Sequence, residues 1–184
     1  FYFESIKNAN KFGNATSFVE NNGSNNNINQ SIRNKVKLDT ISGEWITDIS
    51  LNFASANTDQ WYQSQSNSII KGEGNNKKNK LSFIAQSDVK KKWQGVQFET
   101  GLKTSLLTFD NKAQFNRTLL GVTSFDNLRS SAYNYHEVIN AAYIQVSKTW
   151  NKVILKMGNR WEQTIMKGEQ LSPKDTSFNV NRID

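Results

Sequence analysis

The chain has 184 residues, 36% of them hydrophobic, with a mean hydropathy of −0.68 and a formal charge of +7 from 23 basic and 16 acidic side chains. No apolar run approaches the roughly 18 residues of a membrane helix, which excludes a helical membrane protein but leaves a β-barrel open, because barrel strands alternate apolar and polar residues. Cysteine is absent, so disulfides, thiolate metal sites and cysteine nucleophiles are excluded.

In chain order, Phe1–Ile6 reads as a first short strand. The opening Phe1-Tyr2-Phe3-Glu4 has no basic start or cleavage motif, so the chain is expected to be a section of a longer protein. Asn21–Asn27 is a polar, low-complexity stretch that reads as a loop. Ile32–Thr40 is a weak strand. From Trp45, the positions Trp45, Thr47, Ile49, Leu51 and Phe53 share one face against Asp48, Ser50 and Asn52, a separation that only a period of two achieves.

Gln60–Ser66 is a further weak strand, Gly72-Glu73-Gly74 with Asn75–Lys78 reads as a turn, and Lys80–Gln86 is a weak strand. The lysines at 77, 78, 80 and 90–92 flank that strand and read as soluble turn residues, not nucleic-acid contacts. Val96, Phe98, Thr100, Leu102, Thr104 and Leu106 oppose Gln97, Glu99, Gly101 and Lys103. Asp110–Tyr135 reads as a long polar connection. Val138–Trp150 is taken as a strand because Trp150-Asn151-Lys152 then makes a tight hairpin into Val153, Leu155, Met157 and Trp161. About eight strands and no helix result, an all-β chain of antiparallel up-and-down strands.

Three features favour part, or a small version, of an outer-membrane-type β-barrel over a soluble sandwich. Several strands reach about ten residues, as a tilted spanning strand requires. Trp45 opens a strand, Trp150 closes one and Trp161 is expected late in another, as in an interfacial aromatic girdle. Tight connections alternate with long ones.

The run Phe98-Glu99-Thr100-Gly101-Leu102-Lys103-Thr104-Ser105, then Tyr135-His136-Glu137-Val138-Ile139-Asn140-Ala141-Ala142-Tyr143, then Gly158-Asn159-Arg160-Trp161-Glu162 resembles, in order and spacing, the outer-membrane barrel family of Bacteroidetes-type TonB-dependent-receptor-like proteins. The resemblance is clearest over the C-terminal half. It implies a barrel segment in the bacterial outer membrane that contributes to ligand uptake or binding at the cell surface. Gly101 and Gly158 would let strands bend, and Glu99, Lys103, Arg160 and Glu162 would face away from lipid. Family members carry a plug domain and a longer barrel, so the partners implied are outer-membrane lipid, an unidentified nutrient and an energy-coupling protein acting through a plug that this chain lacks. A partial barrel also exposes two edges open to self-association.

No catalytic, cofactor or metal residue is assigned. His136 is the only histidine and reads as a surface or interface residue. No nucleophile turn, phosphate loop or carboxylate pair is evident. Asp110-Asn111-Lys112 and Asp126-Asn127 read as turn caps before calcium ligands. The connection 111–134, with Phe115, Arg117, Phe125, Arg129 and Tyr133, is the candidate for external ligand contact. The alternatives are a soluble secreted β-sandwich binding carbohydrate or protein, with Trp61, Tyr62 and Trp93 as a stacking platform, and a small closed barrel holding one ligand.

Overall fold

A computed structural model describes residues 8–12, 15–39, 43–65, 69–172 and 174–183. The expected strand Phe1–Ile6 lies outside the described residues. Among the described residues nine strands form one antiparallel sheet: β1 (Asn8–Phe12), β2 (Ala15–Lys37), β3 (Glu44–Gln65), β4 (Ile69–Trp93), β5 (Val96–Leu119), β6 (Val122–Phe125), β7 (Ser131–Trp150), β8 (Val153–Ser172) and β9 (Lys174–Ile183). Eight follow one another in sequence order, and β6 pairs with β5 beside the main path. Among the described residues no second sheet packs against this one, which removes the sandwich alternative. Residues 20–37 of β2 and 153–162 of β8 have no partner on their outer sides among the described residues.

At the upper end Leu120 and Gly121 (φ 51° and 80°) turn β5 into β6; tight turns also close the lower end. Gln94 and Gly95 (φ 48° and 79°) join β4 to β5, both left-handed as the twist-matched hairpin turn demands. Asn151 (φ 51°) and Lys152 join β7 to β8, where the sequence places that hairpin. At the same end Leu38 N–H donates to the Gly43 carbonyl (2.8 Å) between β2 and β3.

The strands are longer than the sequence suggests, 25 residues in β4 and 20 in β8. Several expected loops are strand. Asn21–Asn27 lies within β2 and residues 72–78 lie within β4, while Gln60–Gln65, expected as a strand, continues β3. Of the Asp110–Tyr135 connection, residues 110–119 finish β5 and 122–125 form β6, leaving only Asp126–Ser130 between β6 and β7. Cross-strand pairing in register satisfies the backbone N–H and C=O groups of these polar stretches.

Register sorts every strand into two faces. One carries Ile28, Ile32 and Val36 of β2, Trp45–Phe53 of β3 at alternate positions, and Leu81, Phe83, Ala85 and Val89 of β4. Across the sheet it continues through Val96, Phe98, Leu102 and Leu106 of β5 to Ala142, Ile144 and Val146 of β7, and Leu155, Met157 and Trp161 of β8. This face is the exposed one, with Leu102 at 65% and Met157 at 74%. The buried hydrophobic residues, Tyr62, Ala113 and Ala141, lie on the opposite face with the charges. The arrangement is inside-out relative to a soluble protein: a continuous apolar sheet face of this extent marks contact with lipid or another apolar surface.

The apolar rows run obliquely. Trp45, at their lower edge on β3, is in register through Val89, Thr100 and Ile144 with Asn159, yet on β8 the lower edge is Val153, about six residues further on. Their upper edge moves equally, from Phe53, in register through Leu81, Thr108 and His136 with Lys167, to Trp161, about six residues short of Lys167. A slide of about 20 Å along the strands over about 19 Å of sheet width gives a tilt of roughly 45°, close to the 35–45° of spanning strands. Trp161 therefore lies mid-strand in β8, not late in it, yet on the upper margin of the band. Beyond it Gln163, Lys167 and Glu169 are polar and only Ile165 is not.

Candidate functional site

On the face opposite the apolar one, the concave side of a barrel wall, charges and amides within the band find one another. Arg33 donates to both Asp48 oxygens (2.6 and 3.0 Å) across the β2–β3 pair. Lys35 meets Glu44 at 2.8 Å, Lys90 meets Glu99 at 3.7 Å, and Arg160 donates to Glu162 at 2.6 Å. Gln97 and Gln145 also donate to Glu99, while the Tyr143 hydroxyl and the Gln86 amide donate to Asp88. Glu99, Lys103, Arg160 and Glu162 all occupy this face, as the resemblance implies. Gly101 does more than permit bending: a Cβ there would lie 2.2 Å from Asp88 Oδ1 and 2.5 Å from the Tyr143 ring, so its bareness makes the Tyr143–Asp88 bond possible.

Past the apolar band, the same face carries a denser cluster. Register aligns Tyr62 of β3 with Gly72 of β4 and Arg117 of β5, and Gln60 with Gly74 and Phe115. The two glycines leave floor space on which the Tyr62 and Phe115 rings lie. The Arg129 guanidinium sits 3.9 Å over the Tyr62 ring, a cation–π contact, and the Tyr62 hydroxyl donates to Asp126 Oδ2 at 3.4 Å. Burial pushes the Tyr62 phenol above its ordinary value of 10; Asp126 adds to the rise and Arg129 opposes it.

Asp126 organises the turn beneath. Its carboxylate accepts from Leu128 N–H (3.1 Å) and Arg129 N–H (3.2 Å), and its carbonyl accepts from Ser130 N–H (3.0 Å). Ser130 Oγ in turn accepts from Phe115 N–H at 2.9 Å, fastening the turn to β5. Asp126 thus caps a turn, and no cluster of three metal-ligating side chains occurs among the described residues. Nearby, Asn76 Oδ1 and Asn111 Oδ1 are buried on this face and accept no hydrogen bond from the protein.

Of the residues expected at an external contact, Phe115, Arg117, Arg129 and Tyr133 converge on the concave side of this end, whereas Phe125, paired with Asn116, does not. Tyr62, Gly72 and Gly74 were not legible as members of the site. Trp61, Tyr62 and Trp93 form no platform: Trp61 is on the outer face, Tyr62 on the inner, and Trp93 at the tight-turn end. His136 is half-buried on the outer face, its Nδ1 3.3 Å from Thr108 Oγ1.

The profile of the Outer membrane protein beta-barrel family matches residues 36–184. The chain belongs to that family. As an outer membrane β-barrel protein it places its apolar face in the outer membrane and its charged face away from lipid. No curated protein sequence matches the chain. Similar solved structures include the unliganded ferric citrate transporter FecA (9% identity, TM-score 0.39), covering 98% of this chain and 37% of that one. The ferric preacinetobactin receptor BauA of Acinetobacter baumannii (13%, TM-score 0.48) covers 97% and 35%, and the siderophore receptor PiuA of the same organism (10%, TM-score 0.40) covers 98% and 43%. This barrel chain thus spans well under half the length of those proteins.

Proposed function

We propose that this sheet is a barrel-wall section of a TonB-dependent-receptor-like protein that takes up a bulky ligand, which is held first at the concave face past the membrane band. The observation that carries the reading is the convergence of Arg117 and Arg129 on the Tyr62–Phe115 surface, at the upper end, where the strands run on past the apolar band. Barrel proteins keep their short turns on the periplasmic side and their long extensions outside, so this cluster faces the cell exterior. Aromatic surfaces with convergent polar groups are suited to capture an organic ligand. A plug carried outside these residues would couple the wall to the energy-transducing protein. The free sides of β2 and β8 would pair with further strands or with another copy, since lipid cannot satisfy their amides.

Cells carrying the protein, given labelled iron chelates, oligosaccharides or peptides, test this reading. Uptake of one class that is lost on collapsing the proton-motive force, and cut at least tenfold by Arg117→Ala with Arg129→Ala, is the expected result. Passage that is indifferent to both changes refutes it.

A further inference from the structure

The outer face is sorted by charge as well as by hydropathy. From the tight turns up to the row of Phe53, Leu81 and Thr108, its strand positions on β2 to β8 carry no carboxylate. Carboxylates on this face appear only beyond it, at Glu20, Asp59, Glu73, Asp110 and Glu169. At the lower margin two cations stand out, Lys91 on β4 and Lys148 on β7. Alternation splits the 90–92 lysine run: Lys90 and Lys92 turn to the concave face, where Lys90 meets Glu99, and Lys91 alone turns outward, opposite Phe98. Lys91 makes no ion pair among the described residues. Lys148 lies opposite Val96, with its ammonium 4.8 Å over the exposed Trp150 ring.

The two lysines are separated by β5 and offset by about two residues, which puts their Cα atoms roughly 12 Å apart, within reach of one headgroup for flexible four-carbon stems. The oblique band places both at its lower margin, between Trp93 and Trp150. Cations beside tryptophans at a hydrocarbon boundary, with no acid to neutralise them, match a phosphodiester anchored by acyl chains along the apolar face.

We infer that Lys91 and Lys148, with Trp150, bind the phosphate of an anionic glycerophospholipid in the leaflet that meets the 94–95 and 151–152 turns. The site rests on the outer face meeting lipid and is independent of any ligand taken up.

The test uses protein purified from outer membranes in mild detergent and exchanged with equimolar phosphatidylglycerol and phosphatidylcholine, retained lipid being read by native mass spectrometry. The wild type is expected to retain phosphatidylglycerol at least fivefold over phosphatidylcholine. Lys91→Gln or Lys148→Gln should each lower that ratio at least twofold, and the Arg replacements should preserve it. Lys77→Gln with Lys112→Gln, on the outer face beyond the band, should leave it unchanged. A wild-type ratio near one, an unaltered ratio in both Gln variants, or loss only in the Lys77/Lys112 variant overturns the proposal, the last pointing to headgroups of the opposite leaflet. Failure of ligand uptake with the lipid ratio intact would count against the proposed function alone.

Discussion

At Gly72, one added methyl carbon would stand 2.2 Å from the Tyr62 ring carbons, and at Gly74 the Phe115 ring is as close. The added carbon overlaps the ring itself, so Gly72→Ala should displace Tyr62 and destabilise the fold by about 1–3 kcal/mol, a typical overpacking cost. Urea titration in liposomes measures the loss. It should be accompanied by a weaker Arg129 contact, visible as a change in tyrosine absorbance. Tyr62 also carries a pH prediction. Its phenol is held above 10 chiefly by burial, so the neutral form is favoured in the folded state. The stability it contributes is complete below pH 10 and declines as pH rises through the raised value. The difference between spectrophotometric titrations of the wild type and Tyr62→Phe should therefore be a single ionisation above pH 10.

Single strands carry the next prediction, because adjacent residues on β3 face different media. Ile49 lies mid-band on the outer face and Ser50 on the concave face. Ile49→Arg should cost about 2–4 kcal/mol, the price of a cation at the bilayer midplane. Ser50→Arg should be close to neutral by the same unfolding measurement. Equal costs at the two positions would contradict the assignment of faces. This sidedness is legible in the sequence: the rows headed by Trp45, Val96 and Val153 alternate apolar with polar, and only a strand does that. The upper halves of the strands were not. Asn21–Asn27, residues 72–80 and residues 110–119 are polar on both faces, because both faces meet water past the band, so no period of two survives in hydropathy. Asn, Gly and Lys there mimic turn chemistry. Gly72 and Gly74 were misread for the same reason: a glycine that makes room for a cross-strand ring looks, in sequence, like one that makes a bend. The site shared this blindness. Arg117, Arg129, Phe115 and Tyr133 were visible as a mixed aromatic and cationic set, but Tyr62 lies far off in sequence and joins them only through register.

Taken as one object, the sheet has an oblique band whose edges can be located by chemistry. Trp45 and Trp161 lie on its opposite margins although both sit on the same face. With single-tryptophan variants in bilayers, lipids brominated near the headgroup should quench each more strongly than lipids brominated at the acyl terminus, whereas a tryptophan placed at Ile49 should show the reverse. Strands lying parallel to the bilayer normal would contradict the roughly 45° tilt read from register, and polarised infrared spectroscopy of oriented films distinguishes the two.

The tilt also sets a thickness. About nine residues from Trp45 to Phe53, inclined at roughly 45°, cover only about 20 Å of depth, less than the ~30 Å hydrocarbon layer of an average bilayer. Bacterial outer membranes are thinner than average, and every ångström of mismatch elsewhere costs a fraction of a kcal/mol. Geometry alone therefore acts as an address label, making thicker membranes the poorer host for this wall.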